Sequence, residues 1–213
     1  MTPENARGAA RGRSDDAAPK DIEDAYLRRA IAEMGALNDE IASVGPDPDG
    51  LLPVMASGSP QAEIALVKWA PSPAERQEGV AFFGRSGSAV LKSVQRLDID
   101  PLRLFGTIVV KHGPVDREAT PRDLGWLERE LRIVAPKIVV AMGERVQSAL
   151  DALEMPLAAP LSGEEGVVGA WTPSTEVLPV PDIDASLDEQ AAKRAFWNAF
   201  RALGDWHREQ PPY

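Results

Sequence analysis

The sequence predicts one α/β domain, a mostly parallel sheet covered by helices on both faces, a three-layer sandwich. Three observations predict it. β-type apolar runs stand at Ile64 to Ala70, Phe105 to Lys111 and Lys137 to Met142. Segments with helical periodicity alternate with them, at Ser86 to Leu97, Thr120 to Val134 and Gly143 to Leu153. The Lys137 to Met142 run is nearly continuous in β-branched residues, as expected of a central strand buried on both sides.

The elements follow in order. Residues 1–20 are rich in Ala, Gly, Arg and Asp without periodicity, and read as a disordered tail. Residues 21–45 read as an amino-terminal helix, with Leu27, Ile31, Met34, Leu37 and Ile41 at helical spacing and Gly45-Pro46 as its stop. The turn-forming stretch Pro46 to Gly50 opens the main domain, assigned to residues 46–208, and residues 209–213 form a carboxyl-terminal tail. Thr120-Pro121-Arg122-Asp123 supplies an N-cap, a proline at the first helical position and an acid in the first turn. Ser186-Leu-Asp-Glu189 reads as a capping box for the last helix, whose Ala192, Phe196, Phe200 and Leu203 form one apolar stripe.

At 213 residues the chain has room for one domain with a sizeable core. No apolar run approaches the roughly 20 residues that cross a bilayer, so no membrane partner is expected. Residues Met1 to Lys20 lack the apolar stretch of a secretory signal, and a cytoplasmic address is the expectation. The chain has no cysteine, which excludes disulfides, thiolate zinc sites and iron–sulfur clusters ligated in the usual way. Its net charge of -10 repels a polyanion at long range. Contact with nucleic acid would therefore need a local basic face.

In open sheets of this kind ligands bind beyond the carboxyl ends of the strands, which directs attention to Pro71 to Gly87, His112 to Ala119 and Pro179 to Ser186. Generic catalytic chemistry is sparse there. Only His112 and His207 offer imidazoles, and no G-x-S-x-G elbow is present. Gly84-Arg-Ser-Gly87 opens a helix whose backbone N–H groups could hold a phosphate, as in a doubly wound nucleotide-binding domain. It matches neither G-x-G-x-x-G nor the P-loop, and a Gly-rich turn that lets a helix start tightly is the favoured explanation. Asp182 and Asp184 in a Pro-rich loop read as solvated turn residues, and no metal is expected.

Taken in order, Ala70-Pro71, Phe82-Phe-Gly-Arg-Ser-Gly87, Val109-Val-Lys111, Asp116-Arg117, Thr120-Pro121 and Ala135 to Gly143 resemble the ordered signature of the iron–sulfur uracil-DNA glycosylases. The resemblance runs from about Ala62 to Asp182 and implies a uracil-DNA-glycosylase-like fold. It fails at the chemistry. The family's water-positioning carboxylate falls on Trp69, whose indole N–H is only a donor. The family's uracil-reading asparagine falls on Ile108, which has neither donor nor acceptor, and the histidine that stabilises the departing anion falls on Val180. No catalytic residue is therefore assigned. Phe82 matches the aromatic that stacks on the extruded base, and with Pro71, Gly84, Arg85 and Gly87 makes the expected substrate-binding set. The four cluster-binding cysteines are missing, with His112 at one of their positions, so no iron–sulfur cluster is expected. Trp126 and the amino-terminal helix are the candidates to supply the packing that the cluster gives the family.

Two expectations for function follow. One is a glycosylase-like domain without standard uracil excision, a pseudoenzyme acting as a DNA-binding or accessory module linked to DNA repair. Its partner is DNA, through a basic rim of Lys68, Arg85, Lys111 and Arg117, or another protein. The other is a working glycosylase with relocated chemistry, in which Asp116, Asp182 or His112 serves as base on uracil or another modified base.

Overall fold

The structure is a computed structural model that describes residues 19–114, 116–161 and 163–211. Among the described residues six strands form one sheet: β1 (Ser57–Gly58), β2 (Ile64–Lys68), β3 (Leu104–Ile108), β4 (Ile138–Met142), β5 (Gly169–Thr172) and β6 (Thr175–Val180). Their order across the sheet is β1-β3-β2-β4-β6-β5. The inner four run parallel, and β1 and β5 close the two margins in the antiparallel sense. Every residue of β2, β3 and β4 is buried, because helices cover both faces of these strands.

Alternate side chains feed two separate cores, as the twofold period of a strand requires. Ala65, Val67, Val139 and Ala141 point to one face, packed by Leu127 and Leu131 of α4 (Pro121–Val134) and by Val146 and Leu150 of α5 (Glu144–Asp151). Ile64, Leu66, Ile138 and Val140 point to the other, packed by Val90 and Val94 of α3 (Arg85–Arg96) and by Phe196, Phe200 and Leu203 of α6 (Gln190–Glu209). The three-layer α/β architecture read from the alternation of elements is the one observed.

The amino-terminal helix α1 spans Pro19–Ala42 and docks on α4. Leu37, Ile41 and Trp126 form their own buried cluster, and Trp126 Nε1 donates to Glu40 Oε1 at 3.1 Å. Trp126 and this helix, the two candidates named for the packing that the cluster gives the family, thus pack on one another. The tail reading for residues 1–18 and for residues 212–213 lies outside the described residues.

Three local differences from the sequence reading matter for the site. The stretch after Pro71 contains a short helix α2 (Pro73–Glu78), opened by a capping box between Ser72 and Glu75. The region before Val180 is a β5–β6 hairpin, so Val180 ends a central strand instead of sitting in a loop. The expected capping box at Ser186 and Glu189 does not form. Ser186 lies in a 3-10 turn and donates its hydroxyl to the Asp182 carbonyl at 2.6 Å, while α6 starts after Glu189 without a side-chain cap.

Candidate functional site

The carboxyl ends of β2 and β6 and the amino ends of α2 and α3 border a cleft of about 560 Å³. Trp69, Pro71, Pro73 and Leu187 give it flat apolar walls, and Ser72, Arg85, Ser86, Asp182 and Asp184 supply its polar groups. Such a volume suits a small molecule. Trp69 follows β2 directly and is held from its other side by Arg145 of α5, whose guanidinium lies 3.9 Å from the ring centroid. The residue is 8% exposed and its indole N–H has no partner among the described residues.

Behind the cleft stands a buried ion cluster. Lys68 Nζ lies 2.6 Å from Glu75 Oε2 and 2.5 Å from Asp184 Oδ2. Lys68 and Glu75 are 1% and 0% exposed. Glu75 also receives the backbone N–H of Ser72 on Oε2 and that of Phe82 on Oε1, so both of its oxygens are occupied. Burial pushes the Asp184 carboxyl above the usual carboxylate range. Lys68 opposes this, while Glu75 and Asp182 add to it. Asp182 Oδ1 caps the following turn through the N–H groups of Asp184 and Ala185.

The residues expected to bind substrate separate in space. Pro71 and Arg85 border the cleft, and Arg85 is exposed and paired with Asp188 at 2.6 Å across its mouth. Gly84 is the N-cap of α3 at a positive φ of 83°, and Gly87 lies in the first turn. A Cβ on Gly87 would stand 1.7 Å from the Phe82 carbonyl oxygen, so only glycine fits there. Phe82, itself left-handed at φ 59°, is not among the residues that line the cleft. The ring packs where Gly106 leaves room on β3 and borders a different cavity of about 160 Å³ with Leu66, Val90 and Leu104. The stacking platform expected at Phe82 is therefore not presented to the cleft.

The three apolar replacements do not share a cavity. Trp69 lines the cleft. Ile108 is 0% exposed and packs with Val54, Ala81 and Phe82, whereas Val180 is 0% exposed and joins the core under α3 and α6. Ile108 and Val180 therefore act as core residues.

Of the expected basic rim, Arg85 is exposed and Arg117 half-buried, whereas Lys68 and Lys111 are buried. Lys68 is consumed by Glu75 and Asp184. Lys111, 0% exposed, lies 2.9 Å from Glu130 and donates to Thr107 Oγ1 at 2.6 Å. These side chains are buried because β2 and the segment after β3 lie under helices, so a cation there survives only when paired. Arg117 makes a two-pronged contact with Asp123 at 2.6 and 2.8 Å and donates to the His112 carbonyl. Burial raises the Asp123 carboxyl, but Arg117 and Thr120 together hold it below the ordinary range. Of the bases considered for relocated chemistry, Asp182 lines the cleft, Asp116 is exposed outside it, and His112 is half-buried with an unpartnered Nε2. Leu187 lies just outside the loops that the sequence singles out; Asp184 and Glu75 lie within them, but Asp184 reads there as a solvated turn residue, whereas it pairs with buried Lys68, and Glu75 has no assigned role. For Glu75 the Ser72-x-x-Glu75 spacing was a readable signal.

Fold and cleft together define an α/β domain with its ligand cleft at the carboxyl edge of a mainly parallel sheet. The chain matches the family model described as the uracil DNA glycosylase superfamily over residues 55–203, and it belongs to that superfamily. The iron–sulfur cluster of the subtype it resembles does not fit the residues present, since no thiolate exists to hold iron and the imidazole at His112 stands alone. Among the described residues no group of three His, Cys, Asp or Glu side chains is arranged to hold a metal ion, and no helix is long and apolar enough to cross a membrane.

Proposed function

We propose that this chain is a uracil-DNA-glycosylase-like domain without standard uracil excision, acting as an accessory module in DNA repair through a protein partner. The observation that carries the reading is the placement of Ile108 and Val180 in closed apolar cores at the positions where the resemblance puts the uracil-reading and anion-stabilising groups. Cleaving a glycosidic bond requires polar groups aimed at a water and at the leaving anion. Loss of one such stabiliser typically lowers the rate by about 10² to 10³. Duplex binding draws most of its strength from neutralised phosphates. Lys68, Arg85, Lys111 and Arg117 each face a carboxylate of this chain, which argues for a protein partner over DNA. Incubation with a uracil-bearing single-stranded oligonucleotide followed by alkali should leave the strand intact. Scission well above the buffer rate would sink the proposal. Fluorescence anisotropy with labelled single- and double-stranded DNA at low salt should show no saturable binding.

One observation favours a second reading, a glycosylase with relocated chemistry. Asp182 and Asp184 both face the cleft, and Asp184 is held toward its protonated form by burial. A cleft carboxyl raised by burial is a candidate general acid or base. Oligonucleotides bearing hypoxanthine or hydroxymethyluracil test it. Strand scission that disappears in both D182N and D184N would select this reading over the accessory one.

A further inference from the structure

We infer that the flank made by α3 and α6 docks a short acidic segment of a partner protein, with the half-buried Trp197 as its apolar anchor. This rests on the reading that the chain acts through a protein partner, and it specifies where that partner sits and what chemistry it presents.

The two helices cover one face of the sheet side by side. Arg85 meets Asp188 near their amino ends, and Gly204 packs so closely on Leu97 that a Cβ there would stand 2.8 Å from Leu97 Cδ2. Lys92 and Arg96, one turn apart on α3, are exposed, as are Arg194 and Arg201 on α6. The latter two share a helix face about 10 Å apart along the axis. Trp197 lies one turn from each of them, and the Arg96 guanidinium stands 5.8 Å from its ring centroid across the groove. Cations of both helices thereby converge on one aromatic.

These four cations form no ion pair with a carboxylate of the described residues, and Asp205, one turn beyond Arg201, is engaged by Arg208. They differ in this from Lys68, Arg85, Lys111 and Arg117, each of which faces a carboxylate of this chain. A cluster of like charges without counter-charge favours an acidic ligand, and it stands out on a chain of net charge -10.

The length of the patch selects the partner. Glu189 stands at the amino end of α6, while Asp98 and Asp205 each follow a residue of the Leu97–Gly204 contact, so acids bound the basic run at both ends. From Glu189 to Asp205 is about 24 Å at the usual helical rise, a span that about seven extended residues cover. A nucleic acid strand carries its charge past both ends into those acids, and its bases need open ring faces to stack on. The single tryptophan here is half-buried with Arg96 over its ring. A short acidic segment sets its carboxylates against the four cations and one apolar side chain against Trp197. Residues 1–18 do not supply it, since Arg7, Arg11 and Arg13 offset Glu4, Asp15 and Asp16.

The test is fluorescence anisotropy of the full chain with a labelled seven-residue peptide of Glu and Asp around a central Phe. Salt of about 0.1 M screens charges beyond about 10 Å and so limits repulsion from the rest of the acidic chain. The peptide should bind saturably, and its counterpart with Gln and Asn in place of the acids should not. R96Q/R194Q/R201Q should weaken binding at least about tenfold, exposed ion pairs being worth up to a few-fold each. R28Q/R122Q/R132Q, the same charge change on α1 and α4, should leave binding in place. W197A should remove the advantage of the Phe peptide over one with a central Ser. Far-UV circular dichroism of each variant separates lost binding from lost folding. No binding of the acidic peptide, binding that survives the α3 and α6 triple variant, or a thymidine oligonucleotide bound on this flank more tightly than the peptide overturns the inference. The uracil-strand cleavage assay decides the proposed function separately: an intact strand with no peptide binding removes this inference alone, and scission with peptide binding removes the proposed function alone.

Discussion

Lys68 and Glu75 meet at 2.6 Å with neither side chain in contact with water, seven residues apart in sequence and on different elements. Lys68 ends β2 and Glu75 lies in the first turn of α2, so the pair fastens the helix that borders the cleft to the sheet. Glu75 reaches that position through the capping box with Ser72, and its other oxygen anchors the Phe82 N–H. One carboxylate thereby ties together a strand end, a helix start and the loop leading into α3.

Removing the cation should expose how much depends on this contact. Lys68→Met leaves Glu75 buried without its partner and should cost about 3–5 kcal/mol in urea unfolding, the usual penalty for breaking a buried pair from one side. Adding Glu75→Gln to that variant should recover part of the loss, since the uncompensated charge is then gone. A loss no larger than that of an exposed Lys92→Met control would contradict this role.

The two glycines around Phe82 should respond differently to alanine. At Gly87 the new methyl would meet the backbone carbonyl of Phe82, which cannot move without shifting the start of α3. At Gly106 it would meet the Phe82 ring edge at 2.5 Å. Overpacking of this kind costs about 1–3 kcal/mol, occasionally more. Phe82→Leu should relieve Gly106→Ala and leave Gly87→Ala as unstable as before, as judged by thermal unfolding of the double variants.

Two carboxyls should shape the acid response with opposite signs. Asp123 sits below its ordinary value because Arg117 and Thr120 outweigh the burial term. Its share of stability is thus present above the unfolded value near 3.8 and fades as pH falls through the folded one. Asp184 sits above its ordinary value, so its share is greatest at low pH and fades as pH rises through its folded value. Arg117→Met should therefore make stability fall less steeply on acidification below about pH 4. D184N should remove the decline that sets in as pH rises above the ordinary carboxyl value. Urea midpoints across pH read both.

The docking of α1 rests on Trp126. Trp126→Ala removes a large side chain packed on Leu37 and Ile41 and the donor to Glu40, at a cost of about 3–5 kcal/mol. Limited proteolysis should then cut within residues 19–42 before the rest of the chain yields. A wild-type cleavage pattern would show that α1 is held elsewhere.

How much of this was readable in the sequence depended on whether local signals decided the structure. The α4 helix was legible because Thr120, Pro121 and Asp123 all specify a helix start, and β4 because its apolar run needs no other context. The same four-residue capping pattern occurs at Ser72 to Glu75 and at Ser186 to Glu189, yet only the first forms a box. Pro73 presets the first helical position there, while the Ser186 hydroxyl is drawn off by the Asp182 carbonyl. Strand β6 was hidden by Pro179, a residue that normally excludes a central strand. It is tolerated because the Pro179 carbonyl accepts from Gly166 on the β5 side, past Val177, the last residue of β6 that β5 pairs. The missing N–H faces that same side and costs no ladder bond. At the site, the burial of Lys68 and Lys111 was not legible, since a lysine in a strand reads as exposed until its carboxylate partners from other elements are known.

The short antiparallel strands at the two margins of the sheet bear on how the molecule behaves in a crowd. Strand β1 offers only two residues to an incoming chain, and the outer side of β5 is partly covered where the Ala159 N–H bonds to the Trp171 carbonyl. Little bare ladder remains for another sheet to extend, so concentrated solutions should resist growth into fibres despite a core rich in strand-forming residues.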